Sequence, residues 1–139
     1  MLRGYEEDGH PKDMKPGTVL DLTLPAFFIG ECLLHAQRLA TALAGDTASV
    51  ALRAGWEGLS GRILKAWHNP HIFFPQEPRA HQSAVVTDII VPVATIPVEL
   101  PQMVQRITLP LYEIFDFERL PSEFFQNVLK KMWKPKGKQ

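Results

Sequence analysis

One cysteine stands in the whole 139-residue chain, so no internal disulfide can staple it. That usage fits a reducing compartment, and cytoplasm is the expected location. No apolar run approaches the roughly 18 residues that a membrane helix needs. The start, Met1-Leu2-Arg3-Gly4-Tyr5-Glu6-Glu7-Asp8, lacks the basic opening and apolar core of a secretion signal. Charge of one sign is missing too. Fifteen basic and fifteen acidic residues cancel, so no whole-molecule field draws in nucleic acid or an anionic membrane. There is also no phosphate-binding loop. Gly55-Trp56-Glu57-Gly58-Leu59-Ser60-Gly61 holds three glycines, but a strand follows where phosphate binding needs a helix N-terminus.

What is present suits one domain with a core of its own, since 45% of the residues are apolar and 22% charged, near the globular average. Thr18–Leu24 alternates, with Leu20, Leu22 and Leu24 on one face, and predicts a strand. Pro25 suits the first turn of a helix, where its missing N–H is not needed. From about Ala26 to Ala44, Ile29, Cys32, Leu33, Ala36, Leu39, Ala40 and Leu43 recur at three- and four-residue spacing. They form the apolar stripe of an amphipathic helix, with Glu31, His35 and Arg38 toward solvent. Gly45 is a natural stop.

Ser49–His68 is the most informative stretch. Val50, Leu52, Ala54 and Trp56 alternate with Ala51, Arg53, Gly55 and Glu57, the period of a strand with one buried face. Gly58 and Gly61 bracket a turn, and Arg62 to Trp67 resumes an extended pattern, which predicts a hairpin. His68 to Pro78 carries too many prolines to be regular, Ala84 to Val91 predicts a fourth strand, and Val93–Pro97 stays unassigned. Leu100, Met103, Val104 and Ile107, continued by Leu111, Ile114 and Phe115, have helical spacing that Pro110 should kink or break. Pro121-Ser122-Glu123 opens a last helix with Phe124, Phe125, Val128, Leu129 and Met132 on its apolar face.

The expected fold is therefore α+β: an antiparallel sheet of about four strands, a long helix packed on one face, and a helical C-terminal third. Residues 1–17 read as a flexible N-terminal arm, 18–133 as a single α+β domain, and 134–139 as a basic C-terminal tail. Lys130, Lys131, Lys134, Lys136 and Lys138 fall within nine residues with Trp133 among them, a solvated helix end or an anion contact.

Three constellations carry candidate chemistry. Trp56 and Trp67 could stack on bases while Arg53, Arg62 and Lys65 reach phosphates, or the tryptophans could face the core. Cys32, His35, His68 and His71 could supply four zinc ligands, although Cys32 on the buried stripe would behave as a small hydrophobe. Phe73 and Phe74, flanked by prolines, are candidates for a partner interface. No cofactor is expected.

Four pieces carry a resemblance: Arg3-Gly4-Tyr5-Glu6-Glu7-Asp8, Gly30-Glu31-Cys32-Leu33-Leu34-His35-Ala36, Trp56-Glu57-Gly58-Leu59-Ser60-Gly61-Arg62, and Leu109-Pro110-Leu111-Tyr112-Glu113-Ile114-Phe115-Asp116-Phe117. In this order they resemble the region that follows the AlbA-like domain in bacterial Schlafen-AlbA-type proteins, also described as divergent AAA or helix-turn-helix proteins. In such proteins the AlbA-like domain is the part linked to nucleotide or nucleic-acid contact. The resemblance implies a C-terminal accessory domain, with the AlbA-like part expected to lie outside this chain, and it brings no active site with it. The expectation is a non-enzymatic docking, sensing or oligomerisation domain of a nucleic-acid-associated or defence-related protein. Its partners would be another protein or a preceding domain, a second copy, or weakly bound nucleic acid, and not a membrane. The alternative is a small metal-dependent hydrolase built on the cysteine and histidines.

Overall fold

The structure, a computed structural model, describes residues 15, 17–66, 78–116 and 122–132. The chain is α+β, in the order β1 (Val19–Asp21), α1 (Thr23–Ala44), β2 (Ser49–Trp56), β3 (Ile63–Lys65), β4 (Val85–Pro92), a 3-10 turn (Val93–Thr95), α2 (Leu100–Glu113) and α3 (Ser122–Met132). Most of the expected N-terminal arm, the basic tail, and Trp67, His68, His71, Phe73 and Phe74 lie outside the described residues. Among the described residues no helix is long and apolar enough to cross a membrane.

The single antiparallel sheet expected from the sequence does not form. Among the described residues there are four strands, but they make two separate pairs. β2 runs antiparallel to β4 over its full length, from Ser49 opposite Pro92 to Trp56 opposite Val85. β3 instead lies parallel to β1, with Leu20 opposite Leu64 and Asp21 opposite Lys65. The reason lies in who occupies the backbone groups of β3. Ile63 donates its N–H to Thr18 at 2.9 Å, Leu64 donates to Pro78 at 2.9 Å, and the Lys65 carbonyl accepts from Leu22 at 2.7 Å. Both edges of β3 are thus taken by chain other than β2.

The glycine-rich link between β2 and β3 is a corner between the two pairs and not a hairpin turn. Gly58 and Gly61 both have positive φ, 67° and 79°, which only glycine adopts at little cost. Between them Leu59 is buried in the core, and its N–H bonds Ser83 at 2.9 Å. Arg62 fastens the corner: its Nε donates to the Gly58 carbonyl at 2.8 Å and its guanidinium reaches back to the Val19 carbonyl at 2.9 Å.

The first strand is shorter than the alternation suggests, because α1 starts at Thr23. Asp21 causes this. Its buried carboxylate accepts from the N–H groups of Thr23 (3.0 Å) and Leu24 (3.3 Å), which begins the helix before Pro25. A negative charge at that end is also favoured by the helix dipole. Gly45, with φ 79°, ends the helix as expected.

α1 buries Ala26, Ile29, Leu33 and Leu34 against α2, α3 and β2, while Ala36 and Ala40 are half-buried. The rest of the expected stripe is corrected. Cys32, Leu39 and Leu43 are exposed, the two leucines by 62% and 77%. Beyond Arg38 the helix runs past the elements that cover its inner face, so only Ala40 and Thr41 remain partly buried there.

Pro110 does not break α2, which continues to Glu113. The proline falls in the last turn, where one lost backbone bond is offset by the burial of Leu111 and Tyr112 just beyond it. Tyr112 also donates from its hydroxyl to the buried Leu22 carbonyl at 2.6 Å, tying α2 to the start of α1. α3 buries Phe124, Phe125, Val128 and Leu129, and the two phenylalanine rings meet edge to face at 5.1 Å.

Candidate functional site

The pairing of β2 with β4 decides where the sequence-predicted residues point. Val50, Leu52, Ala54 and Trp56 turn inward with Ile89 and Val91, as the alternation requires. Trp56 therefore packs against the core with one part still accessible. Arg53 sits on the opposite face, directly across from Asp88, and its guanidinium lies 3.4 Å from the carboxylate. Arg62 is half-buried and committed to the Gly58 and Val19 carbonyls. Lys65 is half-buried on β3, in the other strand pair. Arg53 and Trp56 thus lie on opposite faces of one sheet, while Arg62 sits in the corner between the two pairs and Lys65 on the second. The shared hairpin on which a base-stacking and phosphate-binding set would be presented is not formed.

Cys32 and His35 are both exposed on α1. A thiol of the core was expected there; the actual position follows from helix rotation, since Leu33 takes the inward direction beside it. His68 and His71 fall outside the described residues, and so does the Phe73 and Phe74 pair. Among the described residues no group of three or more histidine, cysteine or acidic side chains could hold a metal ion.

The surface that does stand out was not singled out in the sequence. The outer face of β2 and β4 presents Ala51, Arg53 and Gly55 opposite Ile90, Asp88 and Val86. Ile90 is 76% exposed and Val86 63% exposed. Gly55 carries no side chain, and a Cβ placed there would meet Val86 at 3.7 Å, so the apolar floor is flat at that pair. The Arg53–Asp88 pair crosses the middle of the face. Both charges are largely solvated, so the pair contributes little to stability. Among the described residues β2 and β4 each pair with one strand only, which leaves a free backbone edge on either side.

A signal for this face was available. Val85-Val86-Thr87-Asp88-Ile89-Ile90-Val91 is apolar at both parities, whereas a strand with one solvated face alternates. Strands of that kind are covered on both sides, and here one cover is absent from the described residues.

A concavity of about 330 Å³ is lined by Pro97, Val98, Leu100, Pro101, Gln126, Leu129 and Lys130, between the start of α2 and α3. It is open and mainly apolar, with Lys130 as its sole charged liner.

No family model matches the chain, and neither a curated protein nor a solved structure matches it.

Proposed function

We propose that this chain is a non-enzymatic accessory domain that docks onto a protein partner. The observation that carries the reading is the outer face of β2 and β4, where Val86 and Ile90 are held in the open on a regular sheet whose outer edges are unpaired among the described residues. An apolar sheet face crossed at its middle by an opposed charge pair suits a protein surface or an added strand, whose backbone can use the open ladder. The resemblance to the region after the AlbA-like domain in bacterial Schlafen-AlbA-type proteins supplies the setting. On that reading the partner is an AlbA-type domain, encoded in the same reading frame or beside it, in a cytoplasmic nucleic-acid-associated or defence system.

Direct reading of nucleic acid has less support. Trp56 faces the core, Arg53 is matched by Asp88, Arg62 is spent on backbone carbonyls, and the whole chain has no net charge. Single-strand binding would need a stacking platform and a basic track on one surface.

The test is a binding isotherm between the chain and the AlbA-type domain encoded nearest to it, repeated with Val86→Lys and Ile90→Lys. Binding that either substitution weakens by about tenfold or more, as expected of an interface centre, supports the docking face. Absence of binding to that domain, together with salt-sensitive binding of a labelled oligonucleotide in fluorescence anisotropy, would overturn it in favour of nucleic acid.

A further inference from the structure

The outer face of β2 and β4 is ordered in rows. Three rows cross it: Ala51 beside Ile90, Arg53 beside Asp88, and Gly55 beside Val86. All six residues are exposed. In the two apolar rows the β2 member is small and the β4 member is a large aliphatic. The middle row is divided in the same sense, with the cation on β2 and the anion on β4. What each strand presents is what the other one lacks.

A face divided in this way is complementary to itself. Stacked sheets prefer nearly aligned strands, and a symmetric pair needs a twofold axis lying between the two faces. Two such axes pass through the middle row. With the axis across the strands, β2 covers β2, and like charges meet, Arg53 on Arg53 and Asp88 on Asp88. With the axis along the strands, β2 of each copy covers β4 of the other. Arg53 then meets Asp88 twice, Ile90 seats on Ala51 and Val86 seats on Gly55. Charge and size select the same axis. We propose that the chain pairs with a second copy through this face, β2 over β4 on both sides, and that the pairing covers the docking face until a partner displaces it. The displacement rests on the docking reading above, whereas the pairing does not. A two-stranded face lies well below the roughly 1,200 Å² of stable specific interfaces, so association belongs in the high micromolar range. The central charges lose water on pairing and therefore set the register more than they add affinity. A contact this weak gives way to a tighter partner.

The test is charge exchange in the full chain, read by sedimentation equilibrium from micromolar to millimolar concentration. Arg53→Asp sets like charges against Asp88 of the copy at two points, and Asp88→Arg does the same against Arg53. Each variant alone should remain a monomer throughout. An equal mixture of the two should dimerise, because every contact between them is then an opposed pair, and so should the chain carrying both changes. Each single variant also sets like charges within its own sheet. Mixing does not relieve that, so recovery on mixing reads the contact between copies and not the fold. The AlbA-type domain encoded nearest to the chain is then titrated into the wild type, and the homodimer should decline as the mixed complex forms. A wild-type monomer at every concentration would overturn the pairing and leave the docking reading to its own isotherm. Single variants that still dimerise, or that mixing does not restore, overturn the pairing equally. A domain that binds while the dimer stays intact overturns the displacement. A dimer that obeys the charge exchange beside a domain that does not bind supports the pairing and sinks the docking reading alone.

Discussion

The two strand pairs are built from similar side chains and do opposite things with them. β1 and β3 are three residues each, yet Leu20, Asp21 and Leu64 are buried and the strands are tied by Arg62, by Lys65 and, through Leu22, by Tyr112. β2 and β4 are eight residues each, and one whole face of their ladder stays in solvent. Strand length therefore says little about which pair anchors the molecule. The short pair is an internal fastening, and the long pair is a displayed surface.

That contrast is sharpest at two aliphatic side chains. Leu64 on β3 is fully buried and Ile90 on β4 is mostly exposed. Leu64→Ala should cost about 2–5 kcal/mol in denaturant unfolding, the range for truncating a core leucine. A loss near zero would mean that the short pair fastens nothing. Next comes Tyr112→Phe, which removes the hydroxyl bond to Leu22 and should cost about 1 kcal/mol. Ile90→Ala should shift stability by no more than about 0.5 kcal/mol, because the side chain gains little from folding; a larger cost would show that the outer face is covered within the chain itself. Arg53→Ala should have the smallest effect, about 0.3 kcal/mol or less, and should vanish in high salt. A clear, salt-resistant loss there would make the Arg53–Asp88 pair part of the fastening after all.

Much of this was legible in the sequence, for reasons that can be named. The alternation in Ser49–Trp56 gave the inward set because one face of that strand has a core beneath it. The spacing of Leu100, Met103, Val104 and Ile107 gave α2 for the same reason. Local pattern could not say which strand pairs with which. Gly58-Leu59-Ser60-Gly61 reads as a hairpin turn until Leu59 is seen to enter the core and Pro78 to occupy the edge of β3. The stripe on α1 failed differently. Apolar residues on both sides of a helix merge into one broad stripe when read by spacing alone, so Cys32, Leu39 and Leu43 fall in with the buried Leu33. The candidate surfaces were hidden by the same fact: exposure of an isoleucine or a leucine is a property of its neighbours in space.

The parallel pairing of β1 with β3 has a consequence for how the chain is made. The partners are dozens of residues apart, with α1 and β2 between them, so their contact closes a long loop. Synthesis delivers β1 first and β3 much later, and local helix formation in α1 is faster than any such closure. On that order the bond from Arg62 to the Val19 carbonyl is expected to shut last, as a latch behind the rate-limiting step. Leu20→Ala should accordingly leave the refolding rate almost unchanged and speed unfolding instead. A chevron in which the refolding arm drops by the full loss of stability would place β1 in the nucleus. Otherwise β1, made before β3, waits longest for its partner.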